Sequence, residues 1–216
     1  DALGVVCDVT DETQVKSTLE QAQQKFGFVD VLVNNAVMFK QKGVLDMTLE
    51  EWERQTGIIL SGSFLFTKYV ASALIDQKRR GSIINIISTA GHQGQPGNVG
   101  YCTGKSGLLN FTRSVAMELA EYGIRVNSLT PTATALEEGF DRAAKWGRPK
   151  VDSEKFESVM DGFRKSIPMQ QLPGPSDYAK TAVFLASEDA SMLTGTDIKV
   201  DAGALARYWA WDPAVV

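Results

Sequence analysis

Histidine and cysteine are scarce in this 216-residue chain, with one His and two Cys. A zinc site would have almost no ligands to draw on, so no metal centre is expected. Cys7 lies in an apolar stretch and Cys102 beside a tyrosine, and neither looks like half of a disulfide framework. A reducing, cytoplasmic compartment is the expectation. Charge of one sign is lacking too: the net charge is −4, with no Lys/Arg stripe, which argues against a nucleic-acid partner. No contiguous apolar run reaches the ~18 residues of a membrane span. The longest, 57–66, reads as a buried helix face, so no membrane partner is expected, and no signal peptide is recognised. The chain begins at Asp1 rather than Met, a first hint that something precedes it.

What is present is ordinary globular composition, 44% hydrophobic and 22% charged, enough for one domain with a sizeable core. Strand-like and helix-like segments alternate. Residues 3–7 form a short apolar strand, and Asp8 to Asp11 supply N-cap types for a helix to about Phe26. Residues 29–34 form a second strand. Thr48 and Glu51 have capping-box spacing and open a long helix to about Gln77. Residues 82–88 form a third strand, so uniformly apolar that both faces must be covered, as in a parallel sheet between helix layers. A Gly-rich loop (91–100), a helix from Tyr101 to about Tyr122 stopped by Gly123, and a fourth strand (124–129) follow. Further on come short helical pieces at 135–145 and 153–165, a helix N-capped by Ser176 and ending near Ser187, and a last strand at 196–200. The alternation predicts a doubly wound α/β sheet.

The strongest chemical signal is Tyr101-Cys102-Thr103-Gly104-Lys105. Positions i and i+4 of a helix share a face, so the Lys105 ammonium lies near the Tyr101 phenol. A nearby positive charge favours phenolate and suits the phenol to proton exchange with an alcohol or carbonyl near neutral pH. Tyr and Lys four apart also occur by chance on many helices. Ser88, ending an apolar strand thirteen positions earlier, sits where open α/β sheets bind ligands and can share a substrate oxygen with Tyr101. As a bare strand-end residue it is equally commonplace.

Together, Asn85-Ile86-Ile87-Ser88 and Tyr101-x-x-x-Lys105 closely resemble the active-site segment of the short-chain dehydrogenase/reductase family. Further matches fall in order along the chain. They are Cys7-Asp8-Val9-Thr10-Asp11, Val33-Asn34-Asn35-Ala36, Trp52 through Gly62-Ser63-Phe64, and Arg125-Val126-Asn127 through Pro131. The C-terminal ones are Phe184-Leu185-Ala186-Ser187 and Leu193-Thr194-Gly195 through Val200-Asp201-Ala202-Gly203. The resemblance implies one Rossmann-like NAD(P)-binding domain over 1–216, an irregular substrate lid at about 132–170, and interconversion of a secondary alcohol and a ketone. It implies that Tyr101 is the acid/base, that Lys105 lowers its pKa and holds the nicotinamide ribose, and that Ser88 polarises the carbonyl. Asp8 and Val9 would contact adenine, Asn35 and Ala36 would line the cofactor cleft, and Thr134 would make a backbone contact to the nicotinamide amide. The resemblance further implies NAD or NADP as cofactor, a small-molecule alcohol or ketone as partner and, together with the apolar content of 57–74 and 108–119, a homo-oligomeric complete protein, a tetramer.

The pattern also breaks. The family opens with a strand, a Gly-rich turn and a helix that cradle the pyrophosphate, and no such turn precedes Asp8. The first β-α-β segment is therefore expected to be missing, with weak NAD(H) and NADP(H) binding as the consequence. A family Asn seven after the Trp is Ile59, removing a polar group that would position a water for proton relay. Asn-Asn-Ala-Gly ends in Val37, Pro-Gly is Pro131-Thr132, and the small residue before the lysine is Gly104. Two readings stay open: an oxidoreductase, or a non-catalytic relative or inactive fragment. Other features carry weaker signals: His92 as a loop residue that could touch substrate, Tyr208, Trp209 and Trp211 as an aromatic tail, and Met160, Phe163 and Ile167 at helical spacing.

Overall fold

In a computed structural model the described residues are 1–134 and 153–208, with 210 and 212. Four parallel strands, β1 (Val31–Asn34), β2 (Gly81–Ile86), β3 (Ile124–Pro131) and β4 (Asp197–Val200), form one sheet in the order β1-β2-β3-β4. The helices are α1 (Glu12–Phe26), α2 (Leu49–Thr56), α3 (Gly62–Asp76), α4 (Val99–Leu119), α5 (Ser153–Ser166) and α6 (Pro175–Ala186). Both faces of the sheet are covered. On one, Val70, Ala71 and Leu74 of α3 and Ala116 of α4 meet Ile83, Ile124 and Val126. On the other, Leu185 of α6 meets Ile84 and Leu129. Ile83 and Ile84 are adjacent and point to opposite faces, yet neither is exposed, which is why β2 reads as nearly all apolar. This is the doubly wound arrangement the alternation predicts.

A buried polar chain pins the central elements. Asn34 Nδ2 donates to Asn85 Oδ1 (2.8 Å) and Thr67 Oγ1 (3.1 Å), and Asn85 Nδ2 donates to Thr112 Oγ1 (2.9 Å). It joins β1 and β2 to α3 and α4, with each amide partnered as burial demands.

Several local expectations are corrected. Residues 3–7 belong to no strand and pair with no strand among the described residues, and Val6 is fully exposed. A strand exists through its ladder, and among the described residues no strand lies along the outer edge of β1 to connect the two. The expected N-cap Ser176 lies inside α6. Pro175 occupies the first helical position, where its missing N–H costs nothing, so Gly174 is the cap and its N–H donates to Asp177 Oδ2 (2.9 Å). The Gly-rich loop is shorter than expected: Thr89–Gly91 is a 3-10 turn, and α4 begins at Val99, placing Tyr101 in its first turn.

The helix opened at Thr48 has the full capping box with Glu51, but a π-helical turn, Gly57–Ser61, divides α2 from α3. The whole rod, Leu49–Asp76, is long and apolar enough to cross a membrane by length and composition. Counting contiguous apolar residues misses this, because the apolar positions are spread along the rod. Val70, Ala71 and Leu74 bury its inner face against the sheet, the behaviour of a core helix. Met160 and Ile167 likewise belong to an ordinary core cluster with Leu172, while Phe163 is 41% exposed. The expected helix at 135–145 and Trp209 and Trp211 lie outside the described residues.

Candidate active site

The carboxyl ends of β2 and β3 and the first turns of α4 meet at one point. Ser88 follows β2 and caps the 3-10 turn, its Oγ accepting from Ala90 N (3.2 Å). The turn lies directly on α4: a Cβ at Gly91 would come 2.9 Å from the Lys105 carbonyl carbon and 2.9 Å from Ile87 Cγ2. Only glycine permits that approach, which sets the turn after Ser88 against the helix that carries Tyr101. Lys105 lies one helical turn further on and is 3% exposed. Its Nζ donates to Ile86 O at 2.5 Å and stands 5.9 Å from the centre of the Tyr101 ring.

The electrostatics differ from the expectation that Lys105 lowers the Tyr101 pKa. Burial pushes the Tyr101 phenol above its ordinary value, and the nearby Ser88 hydroxyl only partly offsets it. Burial also pulls Lys105 down to about 8. Both charged forms lose hydration, and the ammonium is turned toward the Ile86 carbonyl rather than the phenolic oxygen.

A second space of about 210 Å³ runs beside β1, lined among others by Val9, Asn35, Ala36, Gly62 and Ser63. Val9 packs tightly on α3; a Cβ at Gly62 would stand 2.6 Å from Val9 Cγ2. Asn35 and Ala36 are exposed just past β1. Asp8 is already engaged: Oδ2 accepts from Arg54 (2.8 Å) and Oδ1 from Thr10 N and Oγ1, which hold its pKa at about 2. Thr134 is separate from both groups, its Oγ1 bonding Tyr178 OH (3.2 Å) and Thr132 O (3.3 Å). Thus Ser88, Tyr101 and Lys105 converge, Val9, Asn35 and Ala36 share a neighbouring space, and Asp8 and Thr134 have their polar side-chain atoms occupied.

Two of the departures from the family pattern prove to be one packing solution. Ile59, in the π-helical turn, is 0% exposed among Ile87, Leu108 and Leu109. A Cβ at Gly104 would stand 2.9 Å from Ile59 Cδ1 and 3.2 Å from its Cβ and Cγ2, so the absent side chain at 104 makes room for the branched one at 59. Ser63, which might have replaced the missing polar contact, spends its hydroxyl on Ile59 O (2.7 Å). Ile59→Asn is therefore expected not to raise turnover, since its amide enters an apolar pocket, and to destabilise by roughly 1–3 kcal/mol. Urea unfolding and kcat measured together check this; a faster, equally stable variant would contradict it. Val37 is 47% exposed.

His92 is not a solvated loop residue. Its Nε2 lies 3.1 Å from Thr130 Oγ1 and 3.3 Å from Asp197 Oδ2, and Asp197 also accepts from Ser128 Oγ (2.6 Å) and Thr130 Oγ1 (2.8 Å). It ties the turn after Ser88 to β3 and β4. Gly91 is visible in the sequence only as one of several loop glycines, and nothing in the spacing singles out Phe39, whose ring packs on Tyr101.

A family profile described as Enoyl-(Acyl carrier protein) reductase matches residues 1–204. A solved structure described as a short-chain dehydrogenase/reductase from Burkholderia xenovorans, 34% identical, superposes with a TM-score of 0.81 over 94% of this chain and 75% of that one. The chain belongs to the short-chain dehydrogenase/reductase family. Its relatives there include the galactitol 2-dehydrogenase of Agrobacterium fabrum, 32% identical over 94% of this chain and 78% of that protein. They also include the 3-oxoacyl-(acyl-carrier-protein) reductase of Haemophilus influenzae, 35% identical over 93% and 77%. The aldohexose dehydrogenase of Thermoplasma acidophilum superposes with a TM-score of 0.85 at 28% identity, over 97% and 80%. Family membership makes this an oxidoreductase of the short-chain type.

Proposed function

We propose that this protein interconverts a secondary alcohol and a ketone using NAD or NADP, with Ser88, Tyr101 and Lys105 as the reacting site. The observation that carries this reading is the convergence beyond the carboxyl end of β2 of Ser88, at the cap of the 3-10 turn, Tyr101, in the first turn of α4, and Lys105, buried one helical turn further on. In reduction, Tyr101 gives its proton to the carbonyl oxygen while Ser88 donates a hydrogen bond to the same atom, stabilising the negative charge that develops there. In oxidation the proton returns to Tyr101.

The residues present fit the nicotinamide end of a dinucleotide. Lys105 is a buried ammonium making one hydrogen bond among the described residues, to Ile86 O, so two of its N–H groups are left to hold ribose hydroxyls. Asn35, Ala36 and Val9 border the adjoining space at the carboxyl ends of parallel strands, where such ligands bind. When bound, the nicotinamide supplies or accepts the hydride. An apolar groove between α3 and α4, lined by Phe64, Ala71, Ile75, Phe111, Val115 and Leu119, supports a homo-oligomer.

The test is label transfer. With a nicotinamide deuterated at its reactive carbon, product alcohols are expected to carry deuterium on the carbinol carbon. A folded protein that binds the nicotinamide but transfers no label across a range of ketones would overturn the reading and favour a non-catalytic relative.

A further inference from the structure

We propose that Phe39 forms a rigid apolar wall of the substrate site and selects ketones and secondary alcohols bearing an aromatic or branched-alkyl group beside the reacting carbon over polyols and sugars. This rests on the function proposed above, because it takes Tyr101 as the group that meets the substrate oxygen.

The ring of Phe39 stands edge-on to that of Tyr101, with centroids 5.2 Å apart and planes at 84°. That is a favourable aromatic geometry. It still leaves Phe39 57% exposed, so most of an aromatic ring faces open space next to the phenol. A substituent on a carbonyl carbon whose oxygen meets Tyr101 and Ser88 lies within reach of that face.

An exposed aromatic on a loop usually samples several positions, but this one is held from both sides. Gln55 is 0% exposed, and its Nε2 donates to the carbonyls flanking Phe39, Met38 O at 3.1 Å and Lys40 O at 3.5 Å. Further along the same loop, Lys42 pairs with Glu51 at 2.7 Å and bridges to Asn98. The other end of Gln55 lies against α4: a Cβ at Gly100 would come 2.3 Å from Gln55 Oε1, so the glycine immediately before Tyr101 makes room for it. One buried side chain therefore sets both the loop carrying Phe39 and the start of the helix carrying Tyr101. Gln55 Oε1 itself finds no hydrogen-bond partner, a cost accepted at a buried position.

A wall of this kind discriminates by what it cannot do. A phenyl or branched-alkyl group gains by covering the exposed ring. A polyol pressed against it loses hydration at hydroxyls that Phe39 cannot replace with hydrogen bonds. The relatives do not decide between these substrates, since their names include a galactitol dehydrogenase and a 3-oxoacyl reductase.

The experiment compares kcat/KM for an aryl methyl ketone and a polyhydroxylated ketone in the parent chain, Phe39→Ala and Phe39→Leu. The parent is expected to favour the aryl ketone. Phe39→Ala should reduce that preference by about ten- to a hundredfold, the scale on which apolar pockets discriminate, and Phe39→Leu should restore most of it. A parent that prefers the polyhydroxylated ketone, or a Phe39→Ala variant that loses both activities in equal proportion, overturns the proposal. If no turnover occurs with either ketone, the reacting-site reading is what fails. Ligand-observed NMR then decides the Phe39 proposal separately: aryl ketone saturation transfer seen with the parent and lost in Phe39→Ala supports it, and equal or absent transfer in both overturns it.

Discussion

Tyr101→Phe is expected to lower turnover by about 10²- to 10⁴-fold, the usual worth of a positioned general acid, while the protein remains folded. The substitution removes one hydroxyl. The ring keeps its contact with Phe39 and its place beside the Ile59, Ile87 and Leu108 cluster. Ser88 still caps its turn through Ala90 N. A single-turnover assay with a pH profile, alongside thermal unfolding, separates the two effects. Burial lifts the Tyr101 pKa, so the phenol is protonated through neutral pH, which suits ketone reduction; alcohol oxidation should accelerate as pH rises. A Tyr101→Phe variant with near-parental kcat would remove Tyr101 from the reaction.

Lys105→Met should separate activity from stability in opposite directions. Activity is expected to fall about hundredfold or more through loss of the group beside the phenol. Stability at neutral pH is expected to rise. Lys105 has a pKa of about 8 in the folded chain against an ordinary 10.5, because burial strips its hydration. Below about pH 8 both folded and unfolded chains hold the proton, and the folded one bears the full cost, about 3 kcal/mol. Between the two values the unfolded chain binds a proton that the folded chain has released, so stability rises with pH across that window. Methionine fills similar volume without the charge, though it leaves Ile86 O without its donor, which returns about 1 kcal/mol. The net expected gain is on the order of 1–2 kcal/mol at neutral pH, shrinking as the pH rises from about 8 toward the ordinary lysine value of 10.5. Denaturant unfolding of the cofactor-free protein at neutral and alkaline pH reads this directly. A variant less stable than its parent at neutral pH, with no difference in pH response, would show that Lys105 is not a desolvated cation.

Much of the protein is legible from sequence because the governing interactions are local. Tyr101 and Lys105 are placed on one face by the pitch of a single helix. Thr48 and Glu51 close a capping box within three residues. The apolarity of residues 82–87 announces a strand covered on both sides, as Ile83 and Ile84 are. The order of such segments sufficed for a doubly wound sheet, and the motifs strung along it sufficed for the family.

The tertiary structure decided everything that depends on residues far apart in the chain. Residues 3–7 have the composition of a strand but no partner strand among the described residues, because a strand is completed by its neighbour. Gly91 counts because it lies against Lys105, and Gly104 because Ile59 fills its space. His92 looks like a free loop histidine until Asp197, 105 positions later, is seen beside it. Lys105 looks like a charge that would acidify Tyr101, yet burial acts on both and reverses that expectation. Spacing along the chain specifies which groups a helix or strand presents; the approach of one backbone to another and the exclusion of water specify what those groups can then do.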